Sequence, residues 1–136
     1  MAKGERPRLA ILDRNSHVRE FLCREFELQG FFATALRDAA ELSSSLNGHL
    51  PPDVVVLDPE ALDLGAKLAK RLGELASRVP LVLHVFPEAE IPAGGWGAAG
   101  ALVVEKQADT RELSRAVRAA LAGWGGSPAK MEGDEA

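Results

Sequence analysis

Apolar positions along the chain fall into two alternating kinds of run. Short continuous apolar segments occur at "LAIL" (9–12), "FFATA" (31–35), "DVVVL" (53–57), "LVLHVF" (81–86) and "ALVV" (101–104). Most lack a polar residue at every second position, so they read as parallel strands covered on both faces. Between them, apolar residues recur at helical spacing. In 16–29, Val18, Phe21, Leu22 and Phe26 share one face, and Gly30 is a plausible stop. Residues 38–47 open at Asp38, a favourable N-cap. Residues 62–77 carry Leu64, Leu68, Leu72 and Leu75, and Pro80 closes the segment. Residues 109–122 put Leu113, Val117, Ala120 and Leu121 on one stripe, with Gly123 able to end it. They open with "DTRE", where Asp109 and Glu112 have capping-box spacing.

Strands alternating with helices predict right-handed βαβ units and a parallel sheet. The segment between the fourth and fifth strands, "PEAEIPAGGWGAAG" (87–100), opposes helix formation through Pro92, Gly94, Gly95 and Gly97. It is expected to hold at most a short or irregular helix. Trp96 within it is read as covering the core, with a partner anchor as the alternative. The tail "GGSPAKMEGDEA" (125–136) is small, polar and acidic, which predicts one domain over 1–124 followed by a disordered tail.

Composition narrows the function classes. With 136 residues there is room for one domain with a real core. A net charge of −4 disfavours non-specific nucleic-acid binding, which needs a basic face. The single cysteine, Cys23, excludes an internal disulfide framework and reads as a packing residue. No segment reaches the ~18 apolar residues of a membrane span, and the N-terminus lacks a signal-peptide core, so a cytoplasmic protein is expected. Gly95, Gly97 and Gly100 match G-x-G-x-x-G but run into a strand late in the chain, the wrong context for a dinucleotide site.

The chemistry gathers at strand ends. In an open parallel sheet, ligands sit outside the carboxyl ends of the strands. Asp13 follows the first strand, Asp58 the third and Lys106 the fifth. In the order 2-1-3-4-5 the first and third strands are neighbours, so the two carboxylates meet at the switch point with Lys106 over the same edge. Each residue alone has a plainer reading: Asp58 as a cap for the turn into Pro59, Lys106 as a solvated loop lysine. His84 reads as a buried strand histidine, and His17 and His49 as exposed. No second His or Cys stands at zinc-ligand spacing from His84.

Four segments in order, "ILDRNSHVREFL", "PDVVVLDPE", "VPLVLHV" and "GALVVEK", resemble the receiver domains of bacterial two-component response regulators over roughly residues 8–122. The resemblance implies a flavodoxin-like α/β fold, a doubly wound five-stranded parallel sheet with helices on both faces. It implies a single-domain response regulator in which Asp58 accepts a phosphoryl group from a sensor histidine kinase. Asp13 would belong to the acidic pocket and Lys106 would contact the phosphoryl group. The alternative is a pseudo-receiver, the same fold used as an interaction module without phosphorylation. An ordinary enzyme is not expected. Partners would be the kinase and an unidentified protein target, with a homodimer also compatible and neither nucleic acid nor membrane involved.

Several positions depart from the family pattern. The acid that usually follows the first one is Arg14, and the usual hydroxyl residue ending the fourth strand is Val85, or His84 one register away. The aromatic three residues before the lysine is Val103, and the proline after it is Gln107. Metal ligands would be Asp13 and Asp58, with Mg²⁺ binding weak or absent, because Arg14 would act as a built-in counter-ion. Glu60 could supply the missing carboxylate, and Arg14 could instead swing into solvent.

Overall fold

The computed structural model describes residues 6–88, 101–107 and 109–123. Five strands form one sheet: β1 (Arg8–Leu12), β2 (Phe32–Leu36), β3 (Val54–Leu57), β4 (Leu81–Val85) and β5 (Leu102–Glu105). All neighbouring pairs are parallel, in the order β2-β1-β3-β4-β5. The described helices are α1 (Ser16–Leu28), α2 (Ala39–Leu46), α3 (Leu68–Ala76) and α4 (Arg111–Gly123). Residues 89–100 and 124–136 lie outside the described residues, and with them the expectations for an irregular helix, for Trp96, for the glycine motif and for the tail.

Strand alternation splits the core into two layers. Leu9, Ile11, Val54, Val56, Val82 and Val104 face α1 and α4, meeting Phe26 and Val117. Ala10, Leu12, Val55, Leu57, Leu81 and Leu83 face the other way, toward α2 and α3. Every residue of β3 and β4 is buried, as their unbroken apolar runs require. The edge strands differ from the sequence expectation: β2 and β5 each keep exposed positions. Phe32 on β2 is exposed, and the guanidinium carbons of Arg6 and Arg8 lie 5.4 and 5.8 Å from its ring centroid. Phe31, just before the strand, is instead buried edge-to-face on Phe26, with centroids 5.4 Å apart.

Helix boundaries follow local chemistry. Asn15 caps α1, its side chain accepting from the backbone N–H groups of His17 and Val18. Asp38 caps α2 by accepting from Glu41 N at 2.9 Å. Asp38→Ala is expected to cost about 1 kcal/mol, read as a shift in urea midpoint at unchanged slope. The helix predicted over 62–77 is regular only from Leu68. Two 3-10 turns, Pro59–Leu62 and Gly65–Lys67, precede it, because Asp63 (φ 52°) between them and Gly65 (φ 54°) at the start of the second adopt the left-handed conformation. The Asp109–Glu112 capping box does not form. Asp109 accepts from Arg111 N, Thr110 O accepts the first helical bond from Ser114, and Glu112 accepts from Gln107 Nε2.

Candidate functional site

Parallel register brings the acids together. Leu12 pairs with Leu57, and the Asp58 N–H donates to Leu12 O at 2.8 Å, so Asp13 and Asp58 leave the sheet side by side. Their side chains are buried, each 2% exposed. Both carboxylates are held the same way. Asp13 Oδ1 accepts from Asn15 N at 2.9 Å, and Asp58 Oδ1 accepts from Glu60 N at 3.1 Å. Each turn spends one oxygen on the backbone two residues ahead and leaves Oδ2 facing the cleft.

Lys106 reaches both free oxygens. Its backbone N–H donates to Val85 O, which anchors it at the rim, and its Nζ lies 3.0 Å from Asp13 Oδ2 and 3.3 Å from Asp58 Oδ2. Arg14 does not swing into solvent. Its Nε donates to Asp58 Oδ2 at 3.2 Å, and its Nη2 pairs with Glu60 Oε2. Burial works against the Arg14 charge, but the hydrogen bond and charge of Asp58, then the charges of Glu60 and Asp13, outweigh it and leave its pKa raised. Glu60 therefore joins the site as a partner of Arg14. Asp13, Asp58 and Glu60 face Arg14 and Lys106, leaving one formal negative charge in excess.

The two alternatives for the end of the fourth strand separate. Val85 is buried in the layer facing α2 and α3. His84 lies on the opposite face by strand alternation, the face from which Asp13 and Asp58 leave the sheet. It is 7% exposed, and its Nδ1 has no hydrogen-bond partner among the described residues. Burial, then the Lys106 charge, push its pKa down to about 4 against the opposing pull of Asp13 and Asp58.

Two contributors escaped the sequence reading. Arg19, on the first turns of α1, donates from Nη1 to the Asp13 carbonyl at 2.7 Å and so ties the helix to the acid's own backbone. Its spacing of six from Asp13 was the available signal. Phe86 follows β4 directly, and its ring centroid lies 4.2 Å from Lys106 Nζ. An aromatic at a strand end beside the site was the corresponding signal there. Asp13, Arg14, Asn15 and Asp58 face Phe86 and Lys106 across an open cleft of about 340 Å³.

The donor set does not fit a divalent metal. Mg²⁺ takes near-octahedral oxygen coordination. Here Asp58 Oδ2 already receives the Arg14 guanidinium and the Lys106 ammonium, and Asp13 Oδ2 receives the same ammonium. Among the described residues, no three His, Cys, Asp or Glu side chains group to hold a metal ion. Nor is any described helix long and apolar enough to cross a membrane.

No protein-family model matches the chain, and no curated protein matches it. Solved structures do. The chain is similar to the response regulator TrrA of Thermotoga maritima in complex with Mg²⁺-BeF, at 21% identity and a TM-score of 0.68, covering 85% of this chain and 99% of that one. It is similar to a response regulator receiver protein of Sinorhizobium medicae at 21% identity, TM-score 0.67, covering 86% and 95%. It also matches a complex of the Thermotoga maritima histidine kinase ThkA with TrrA, at 20% identity, TM-score 0.66, covering 85% and 99%. The fold is that of receiver domains, with the expected strand order.

Proposed function

We propose that the chain is a receiver module of two-component signalling, with Asp58 as acceptor of a phosphoryl group from a sensor histidine kinase. What carries this reading is the meeting of Asp13, Asp58 and Lys106 at one sheet edge, inside a receiver fold. The fold's presence in a kinase–regulator complex supports a kinase as partner. In the transfer, an Asp58 oxygen forms the new P–O bond while the bond from phosphorus to the donor's leaving group breaks, and the leaving group departs with the electron pair. Lys106 and Arg14 lie where they offset the added negative charge. The module works in the cytoplasm and passes its state to a protein target, not to a separate chemical substrate.

Arg14 favours a second reading, an interaction module that signals without phosphorylation. Its guanidinium and the Lys106 ammonium both occupy Asp58 Oδ2, so the acceptor oxygen is engaged and the place of a cation is filled. Incubation with acetyl phosphate and Mg²⁺, followed by intact mass, separates the two. The first reading expects a slow gain of one phosphoryl group that is lost in Asp58→Asn. No gain in the wild type leaves the second. Calorimetric titration with Mg²⁺ is expected to show tighter binding to Arg14→Asp than to the wild type. Equal binding would sink the counter-ion role of Arg14 and return Asp58 to ordinary metal-assisted chemistry.

A further inference from the structure

Lys106 has three N–H donors and no acceptor. Two carboxylate oxygens take it, Asp13 Oδ2 at 3.0 Å and Asp58 Oδ2 at 3.3 Å. The other close group is aromatic: the Phe86 ring centroid, 4.2 Å from Nζ. This is well inside the range where a ring face attracts an ammonium. The contact follows from strand ends. The bond from Lys106 N to Val85 O joins β5 to β4 at the rim, and Phe86 is the next residue of the β4 chain. The ring is 42% exposed although it is a large apolar group, so it is not held there by complete burial. Lys106, by contrast, keeps a side chain only 10% exposed.

We propose that Phe86 is the positioning residue of Lys106. Its ring face holds the ammonium against the Asp13–Asp58 pair, and a change of charge at Asp58 shifts the lysine over the ring. The physical reason is competition. One mobile cation is shared by two carboxylates and a π-face, so more negative charge at Asp58 draws it off the ring, and less charge leaves it to Asp13 and the ring. Phe86 is half-exposed at the cleft wall, so this exchange alters a surface that a partner can touch. The positioning itself stands without the phosphoacceptor reading, whereas the signalling use of the shift rests on it.

The test is side-chain NMR of the full chain. Protons of the Lys106 terminal methylene, bonded to the nitrogen that lies over the ring, are expected upfield of the other lysines. Phe86→Leu is expected to abolish that shift while backbone amide signals away from the site hold, and Phe86→Tyr to preserve it. Asp58→Asn is expected to move the same resonance further, and to do so only while residue 86 is aromatic. A Lys106 methylene at the ordinary lysine position in the wild type, or one unchanged in Phe86→Leu, overturns the positioning role. A resonance indifferent to Asp58→Asn overturns the coupling. In acetyl phosphate labelling, Phe86→Leu is expected to react about threefold more slowly than wild type, with Tyr restoring the rate. Absence of labelling in every form counts against the phosphoacceptor reading alone, since the NMR result decides the role of Phe86 independently.

Discussion

Lys106→Met is expected to destabilise the protein by about 3 kcal/mol at neutral pH. The substituted side chain has similar length but lacks the ammonium, with its charge and its N–H donors. Two carboxylates that are 2% exposed lose the ammonium between them. Breaking one side of a buried ion pair costs about 3–5 kcal/mol, because the partner charge stays buried without compensation. The lower end applies because Asp58 retains Arg14 and both acids keep a backbone N–H. Among the described residues the Asp13 carboxylate pairs with no second cation, so Asp13→Asn added to Lys106→Met is expected to recover about half of the loss. Arg14→Met should cost less than about 1 kcal/mol, since its side chain is 49% exposed and such pairs contribute little. Urea unfolding at pH 7 measures all of these. A Lys106→Met protein within about 1 kcal/mol of the wild type would mean that the acids are far better hydrated than their burial implies.

The second large effect is acid sensitivity from His84. Its folded pKa is about 4, against about 6.5 for an unperturbed histidine. Between those values the unfolded chain binds a proton that the folded protein refuses. Stability from this group is therefore complete above about pH 6.5, falls as the pH drops, and is gone by about pH 4. The slope approaches about 1.4 kcal/mol per pH unit, for a total of about 3 kcal/mol. His84→Leu is expected to flatten this part of the stability profile. At pH 7 the variant should be at least as stable as the wild type, because it also removes a buried Nδ1 that has no partner among the described residues. Denaturant midpoints for both proteins from pH 4 to 7.5 make the comparison. Parallel profiles would show that His84 takes up a proton without cost, through an opening of β4 or a rotamer that reaches water.

The fold was legible because its strongest signals are long apolar runs. β3 and β4 are buried on both faces and could hardly read otherwise. The edge strands were placed within one residue, but their exposure was not visible, since "FFATA" reads as apolar whether or not a neighbour covers it. The start of α3 was misread for a local reason. Leucine spacing continues back to Leu64, while Asp63 and Gly65 take left-handed dihedrals that spacing alone does not report. In the site, Asp13, Asp58 and Lys106 were legible because strand ends converge by topology. The union of Arg14 with both Asp58 and Glu60 depends on rotamers, and the sequence left it open among several alternatives. His84 and Val85 could be told apart only once the strand register was known. Phe86 was missed because a cation–π contact leaves no spacing rule, and its place at a strand end was the one signal on offer.

The contacts that make this site also join residues far apart along the chain. Arg14 and Asp58 are 44 residues apart, and Lys106 and Asp58 are 48. The Arg14–Asp58 pair cannot form until β1 and β3 have met, nor the Lys106 contacts until β5 has joined the sheet, with the intervening loops closed. Loop closure is an entropic cost met before such contacts give any return. The ionic cluster is therefore expected to form late in assembly and to contribute little to the folding transition state. Its stabilisation falls on the unfolding side of the barrier, where interactions made late slow the escape from the native state and leave the rate of reaching it almost unchanged. The five side chains of the cluster, Asp13, Arg14, Asp58, Glu60 and Lys106, are thus expected to set how long a finished molecule stays folded.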